Sequence, residues 1–426
     1  MFRIIIFFAI AICTVAFGQI EEGNIYKSID GFTFYSEVHI VPQDSINVAY
    51  FVFRIPFNSL FFNKDGNKFS ARYSILVELK DSLTGNIFRQ FDERNIIANS
   101  FDQTNSKIIC DQNFLIFKLK NANYSLQTIL TDLNTKKERN LPPQKIKVHS
   151  FKNGKFMHPI VLNKNENVTR YTLTNYSNNI PFSDVKYYLL LPSLDTGISK
   201  IYVTIISNSD TVFSNWVNKS FLSNVSFKQD AGEIIFNNSF GTFPVLKNFI
   251  IDNFSEKLKE GRVELSIRAE DNQNNSAKFF TNVIWFNKPY SIRNPEMAIK
   301  MLGIIESKKV VDSLLNLNSN DYENILFNYW KKFVPSSRYS FNTLMNEFYE
   351  RVDYAEENFS PLSKCNGSAT DRGKIYIKFG KPTSISRSYN QFGKSIETWH
   401  YRKLSKVFEF VDQQGTGNFI LKSDNE

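Results

Sequence analysis

Cysteine is scarce in this chain: three in 426 residues. Cys13 sits inside an N-terminal apolar run, which leaves Cys110 and Cys365. Two cysteines cannot frame a fold of this length, although an oxidising compartment would allow a bridge between them. Histidine is equally sparse, with four residues. His39, His149, His158 and His400 stand alone, and neither His-x-x-x-His nor Cys-x-x-Cys spacing occurs, so no zinc motif is present. A Gly-rich phosphate loop leading into a helix is missing, as is a nucleophile elbow. Asp271-Asn272-Gln273-Asn274-Asn275 lacks the central Gly and terminal Glu of a calcium loop and reads as a hairpin turn. The sequence therefore calls for no metal and no cofactor. The excess of 51 Lys and Arg over 42 Asp and Glu is spread along the chain without a dense basic block. Dispersed charge of this kind reads as a solvated surface and not as a nucleic-acid footprint.

Apolar and aromatic residues are plentiful. They make up 42% of the chain and include forty-one Phe and nineteen Tyr, enough to build large cores without covalent staples. The first residues read Met1-Phe2-Arg3, an apolar run from Ile4 to Phe17, and small residues at Ala16 and Gly18. This is the pattern of a secretory signal peptide over 1–18, cleaved before Gln19. Ile12 is too large for the position preceding a lipidated cysteine. The run is shorter than the ~20 residues of a bilayer span, and no later stretch is long and apolar enough for one. The expected location is the periplasm, the cell surface or the medium, with no transmembrane segment in the mature chain and no nucleic-acid partner.

From Gly31 to about Phe286 short aromatic and β-branched runs alternate with polar turns. Phe32 to Ile40, Asn47 to Ile55, Arg72 to Leu79 and Tyr124 to Leu130 are expected strands, with Gln144 to Val148 closing the set. A second series follows: Val168 to Thr174, Lys186 to Leu191, Lys200 to Ile206, Arg262 to Arg268 and Phe279 to Phe286. Tyr124-x-Leu126 before Asp132 and Val263-x-Leu265 before Asp271 share one spacing, which suggests an internal repeat. The expectation is two tandem immunoglobulin-like β-sandwiches, over 23–152 and 153–289.

A helical segment is expected over 290–358. Asn294-Pro295-Glu296 is a helix start, with a side-chain cap, a proline lacking an amide proton and an acid in the first turn. Asn320-x-x-Glu323 resembles a capping box. Tyr322, Ile325, Leu326, Tyr329, Trp330 and Phe333 share one face, ended by Pro335. Phe341, Leu344, Met345, Phe348, Val352 and Ala355 form another stripe. Residues 359–426 then return to alternating runs at Lys374 to Phe379, Ile396 to Tyr401 and Val407 to Val411. These suggest a small β-meander docked on helices, so that the fold class is mainly β with an α+β C-terminal part.

The segments Phe348-Tyr349-Glu350-Arg351-Val352-Asp353-Tyr354-Ala355 and Gly367-Ser368-Ala369-Thr370-Asp371-Arg372-Gly373, together with Gly380-Lys381-Pro382, Glu397-Thr398-Trp399-His400-Tyr401 and Asp412-x-x-Gly415-x-Gly417, resemble the GWxTD domain family from about Ser291 onward. The resemblance implies a bacterial exported protein and carries no settled activity. Ser368 stands where the family has its tryptophan. The motif residues are Gly367, Thr370, Asp371, Arg372, Gly373, Gly380, Pro382, Glu397, Trp399, Tyr401 and Asp412. As residues, Thr370 and Asp371 suit a turn that bonds its own backbone, and Gly373 suits a positive φ ahead of a strand. Arg372 can pair with Asp371 or Glu397. An enzymatic reading would group Asp371, Glu397 and His400 around Arg372, but Glu397 and His400 lie three apart on one strand and face opposite sides. The expected role is non-enzymatic, in contact with a protein or surface partner. The alternative is an extracytoplasmic hydrolase with its site near Asp371, Arg372 and Glu397.

Overall fold

A computed structural model describes residues 24–28, 31–43, 46–148, 156–164, 170–175, 177–237, 245–252, 254–270, 275–334, 339–361 and 366–425. The leader, His149, Asp271, Pro335 and Cys365 lie outside them. The expectations resting on those residues, including the Cys110–Cys365 bridge, therefore fall outside the described structure. The fold is mainly β, with its helices concentrated in the C-terminal part. It divides into two compact units, residues 1–181 with 185–284, and residues 182–184 with 285–426.

Among the described residues the first unit contains four sheets. A four-stranded sheet runs Asn24–Lys27, Thr33–Gln43, Ile46–Pro56, Cys110–Leu119. A six-stranded sheet is built on Lys68–Asp81 and Ala122–Asp132, with Ile87–Ala98 and the closing strand Gln144–Val148 beside them. The one-turn helix α1 (Phe101–Thr104) leads into the strand Cys110–Leu119. Phe34, Phe51, Phe53 and Phe117 of the first sheet share a core with Tyr73, Ile75, Val77 and Leu126 of the second. Strand Ile46–Pro56 is buried on both faces. Its alternate residues Val48, Tyr50 and Val52 enter a second core with Leu162, Leu190, Ile234 and Phe236 of a seven-stranded sheet. Two-sided burial is why this strand reads as an almost unbroken apolar run.

The fourth sheet runs Ile180–Pro181, Ser276–Ile284, Gly261–Ala269, Ile201–Ser207, Asp210–Val217, with Ile180–Pro181 parallel to its neighbour. Ile201, Val203, Ile205, Val263, Leu265 and Ile267 point to its buried side. The period of two along each strand puts Tyr202, Thr204, Ser266 and Arg268 on the other face.

The second unit is helical, then β. Helix α2 (Pro295–Met301) starts at Asn294, whose side chain accepts from the Met297 amide at 3.1 Å. α3 (Lys308–Leu315) and α4 (Tyr322–Lys331) follow. α4 departs from the expected capping box: Asn318 caps the short turn ahead of it, and Asp321 precedes it without a side-chain cap bond. α5 (Thr343–Phe359) is capped by Asn342 and buries Met345, Phe348, Tyr349, Val352, Ala355 and Phe359. Leu344 and Phe333, expected on buried stripes, are 42% and 51% exposed.

The stretch Lys374 to Phe379, expected as a strand, is part of helix α6 (Asp371–Phe379). Ile375, Tyr376 and Ile377 are consecutive and all buried, an arrangement a strand facing a single core would not give. A meander of four antiparallel strands closes the unit: Ser384–Tyr389, Ser395–Tyr401, Lys406–Asp412 and Phe419–Asn425.

Candidate functional site

The turn over residues 367–373 becomes the N-terminus of α6. Thr370 is its N-cap: Oγ1 accepts from the Gly373 amide at 3.0 Å and donates to the Gly367 carbonyl at 2.7 Å. Gly367 and Gly373 serve close approach, not backbone handedness. A Cβ on Gly373 would fall on the Gly367 carbonyl, and one on Gly367 would fall on the Ala355 carbonyl, both far inside 3.0 Å. Gly373 accordingly lies within the helix and does not take the positive φ expected of it. Two glycines thus let the turn lie directly on α5 and let α6 lie on the turn.

Ser368 is 1% exposed. Its hydroxyl donates to Glu356, whose other oxygen accepts from the Gly367 amide at 3.0 Å, and Met301 Sδ lies 3.6 Å away. The position that carries tryptophan in the family pattern is here an interior position, filled by a small hydroxyl bound to a carboxylate.

From α6 a polar chain crosses to the meander. Asp371 accepts from the Leu421 amide at 2.9 Å and thereby ties the helix start to the last strand. Arg372, next to it, turns to Glu397 at 3.5 Å and donates to the Gly417 carbonyl at 2.9 Å. Its guanidinium lies over the Phe419 ring at 4.1 Å and the Phe359 ring at 5.2 Å. Burial draws the Arg372 pKa below its ordinary value, with the facing Glu397 opposing that shift. Glu397, 3% exposed, accepts from Trp399 Nε1 at 2.6 Å and has Arg387 at 3.4 Å. Asp412 accepts from the amides of Gln414, Thr416 and Gly417 and so shapes the loop that presents the Gly417 carbonyl to Arg372.

The remaining motif residues close the other end of α6. Gly380 has φ +76° and its amide bonds to the Tyr376 carbonyl, while the Tyr401 hydroxyl donates to the Gly380 carbonyl at 2.8 Å. Arg351 of α5 donates to the carbonyls of Ile377 and Lys378, which the helix end leaves without partners. Pro382 is buried in the turn that follows. Trp399 is fully buried against Phe359, Tyr376 and Phe410.

The structure thus brings Arg372 and Glu397 together and sends Asp371 to a backbone amide. His400 is half-buried while its strand neighbours Glu397, Trp399 and Tyr401 are buried, so it faces the opposite side of the sheet from Glu397. The Glu397 carboxylate thus accepts from an indole N–H and faces the guanidiniums of Arg372 and Arg387.

A second polar cluster was not legible in the sequence because its members are far apart. In the first unit Glu37 and His39 lie 3.2 Å apart, both buried, and the Asn178 amide donates to Glu37 at 2.8 Å. Arg54, 2% exposed, donates to Gln112 at 2.7 Å, to the Leu173 carbonyl at 2.7 Å and to the Asn175 carbonyl. Burial pushes the Glu37 carboxyl up, but His39, Arg54 and the Asn178 amide together bring it below its ordinary value. His158, within 3.2 Å of Asn178 Nδ2, is pushed down to about 4 by burial and by the nearby His39. Two histidines that are isolated in sequence therefore share one interior. Among the described residues, no group of three or more His, Cys, Asp and Glu side chains is placed to hold a metal ion.

Residues 266–423 match the family model described as the GWxTD domain. The match starts within the strand Gly261–Ala269, upstream of Ser291, and ends in the last strand of the meander. Over that stretch the chain carries a GWxTD domain. No curated protein matches it.

Proposed function

We propose that the chain is an exported protein that acts by binding and not by catalysis, with its GWxTD module serving as a rigid body for contact with a protein or surface partner. The observation that carries this reading is the use of the motif residues. Thr370 caps a helix, Asp371 anchors the last strand, and Arg372 joins Glu397, Gly417, Phe359 and Phe419. Buried charged pairs of this kind hold one arrangement in place and lose stability when one partner is removed.

Within this reading the leader over 1–18 directs the chain to the periplasm, the cell surface or the medium. No helix among the described residues is long and apolar enough to cross a membrane. The first unit, with facing sheets that share cores, is read as two tandem immunoglobulin-like sandwiches. Mass spectrometry of the protein recovered from its native host tests the leader, since cleavage leaves Gln19 as the first residue. Asp371→Ala tests the module. It removes a charged hydrogen bond to a backbone amide, so the melting temperature of the second unit should fall by an amount corresponding to about 1–2 kcal/mol. Unchanged melting accompanied by lost partner binding or lost activity would overturn the structural role.

A further inference from the structure

The outward face of the sheet Ser276–Ile284, Gly261–Ala269, Ile201–Ser207, Asp210–Val217 carries side chains in rows across its strands. The pairing register places Trp216, Tyr202, Arg268 and Ser276 side by side in one row, and Ser214, Thr204, Ser266 and Lys278 in the next. Tyr202 and Trp216 meet edge to face at 5.2 Å, and Trp216 is 42% exposed. The Arg268 guanidinium lies over the Tyr202 ring at 5.1 Å, and Lys200 lies over Trp216 at 5.0 Å. Further along the same face, Arg262 stacks on Phe280 at 4.4 Å. A shallow cleft of about 630 Å³ opens along Tyr202, Thr204, Ser266, Arg268 and Lys278.

We propose that this face binds an anionic oligosaccharide, a run of sugar rings bearing carboxylates. Three properties select that ligand. The exposed Trp216 ring, with the half-buried Tyr202 ring beside it, offers an apolar surface to the faces of sugar rings. The hydroxyls of Thr204, Ser214, Ser266 and Ser276 can both donate and accept, as a polyol requires. The charge is complementary to an anion: Lys200, Arg262, Arg268 and Lys278 face two carboxylates, Glu270 and Glu264, and these are taken up by Lys200 and Lys278 at 2.6 Å each. Among the described residues Arg262 and Arg268 have no carboxylate within ion-pair distance, and their planar forks suit bidentate carboxylate binding. A row of four strands at ~4.8 Å spacing spans about 14 Å, room for several linked rings. The hydroxyl row stands where single-stranded nucleic acid would need further rings for successive bases. The site lies in the first unit, although Ser266, Arg268, Ser276 and Lys278 fall within the GWxTD match, and its failure would leave the role proposed for the motif residues of the second unit untouched.

Isothermal titration of the mature chain with a hexauronate, at low and at physiological ionic strength, tests the proposal. Binding should weaken with salt, and Trp216→Ala and Arg268→Gln should each weaken it about tenfold or more, as expected for the aromatic and Arg anchors of a binding surface. Both positions are exposed, so thermal melting should match the parent chain. The carboxyl-reduced hexasaccharide should bind at least tenfold more weakly than the hexauronate. The proposal is overturned if the hexauronate does not bind, if neither variant affects binding, or if the carboxyl-reduced sugar binds equally well. Equal or tighter binding of a single-stranded hexathymidylate or of anionic lipid vesicles would overturn it too.

Discussion

Replacing Gly373 by Ala separates two effects of opposite sign. Ala is favoured over Gly inside a helix by about 1 kcal/mol, so propensity alone predicts a gain. The added methyl, however, would land on the Gly367 carbonyl, and backbone must retreat by on the order of 1 Å to give even the closest contact real Cβ atoms show. That same carbonyl accepts from Thr370 Oγ1 at 2.7 Å, and Thr370 in turn receives the Gly373 amide at 3.0 Å. The retreat therefore stretches both bonds of the cap. Loss of the cap costs about 1 kcal/mol, and residual overpacking a further ~1–3 kcal/mol. Against the propensity gain, the net expectation is a loss of about 2 kcal/mol. At roughly 2–4 °C per kcal/mol for a unit of this size, the melting temperature falls by about 4–8 °C. Scanning calorimetry with near-ultraviolet circular dichroism reads the transition of the second unit. Gly367→Ala should act in the same direction through the Ala355 carbonyl. An unchanged or raised transition in Gly373→Ala would refute the close-approach argument and leave ordinary helix propensity as the governing term.

Other consequences follow from the same geometry. Thr370→Val keeps the shape and removes the cap oxygen, so it should cost about 1–2 kcal/mol in urea unfolding, while Thr370→Ser retains most of that stability. The first unit should lose stability in acid in two windows. His158 has a folded pKa of about 4, below its ordinary 6.5; the unfolded chain therefore takes up a proton that the folded chain refuses, and stability falls as pH drops from about 6.5 to 4, by up to ~1.4 kcal/mol per pH unit. Glu37, whose folded pKa is depressed, contributes stability that is present above its unfolded value and lost as pH falls below it. Urea unfolding across pH should show the upper window flattened in His158→Gln, and an unaltered slope would contradict the burial of His158.

Much of the β architecture was legible because side chains alternate where one face is buried. Gln144–Val148 and Ile201–Ser207 are cases of this. Helix starts were legible where a cap residue preceded a proline, as at Asn294. α6 was misread for a specific reason: Lys374, Ile375, Tyr376, Ile377, Lys378 and Phe379 alternate well enough to satisfy a period of two. What selects the helix is the Thr370 cap and the contact between Gly373 and the Gly367 carbonyl, and the second of these is tertiary. The pairing of Arg372 with Glu397 was one of two options in the sequence. The structure decides it because Asp371 is drawn to the Leu421 amide. The Glu37, His39 and His158 cluster had no sequence signal, since sheet packing alone assembles residues more than a hundred positions apart.

Unfolding of the Glu397→Ala variant tests the account most directly. Glu397 is the junction at which Arg372 and Trp399 meet. Its removal leaves the Trp399 indole N–H without its acceptor and the Arg372 guanidinium, which keeps the Gly417 carbonyl, without its carboxylate, and breaking a buried pair in this way costs about 3–5 kcal/mol. The account predicts a loss of that size in the second unit's unfolding free energy, with the first unit's transition unmoved. A variant that unfolds like the parent chain but has lost a binding or catalytic activity would contradict it and place Glu397 in a working site.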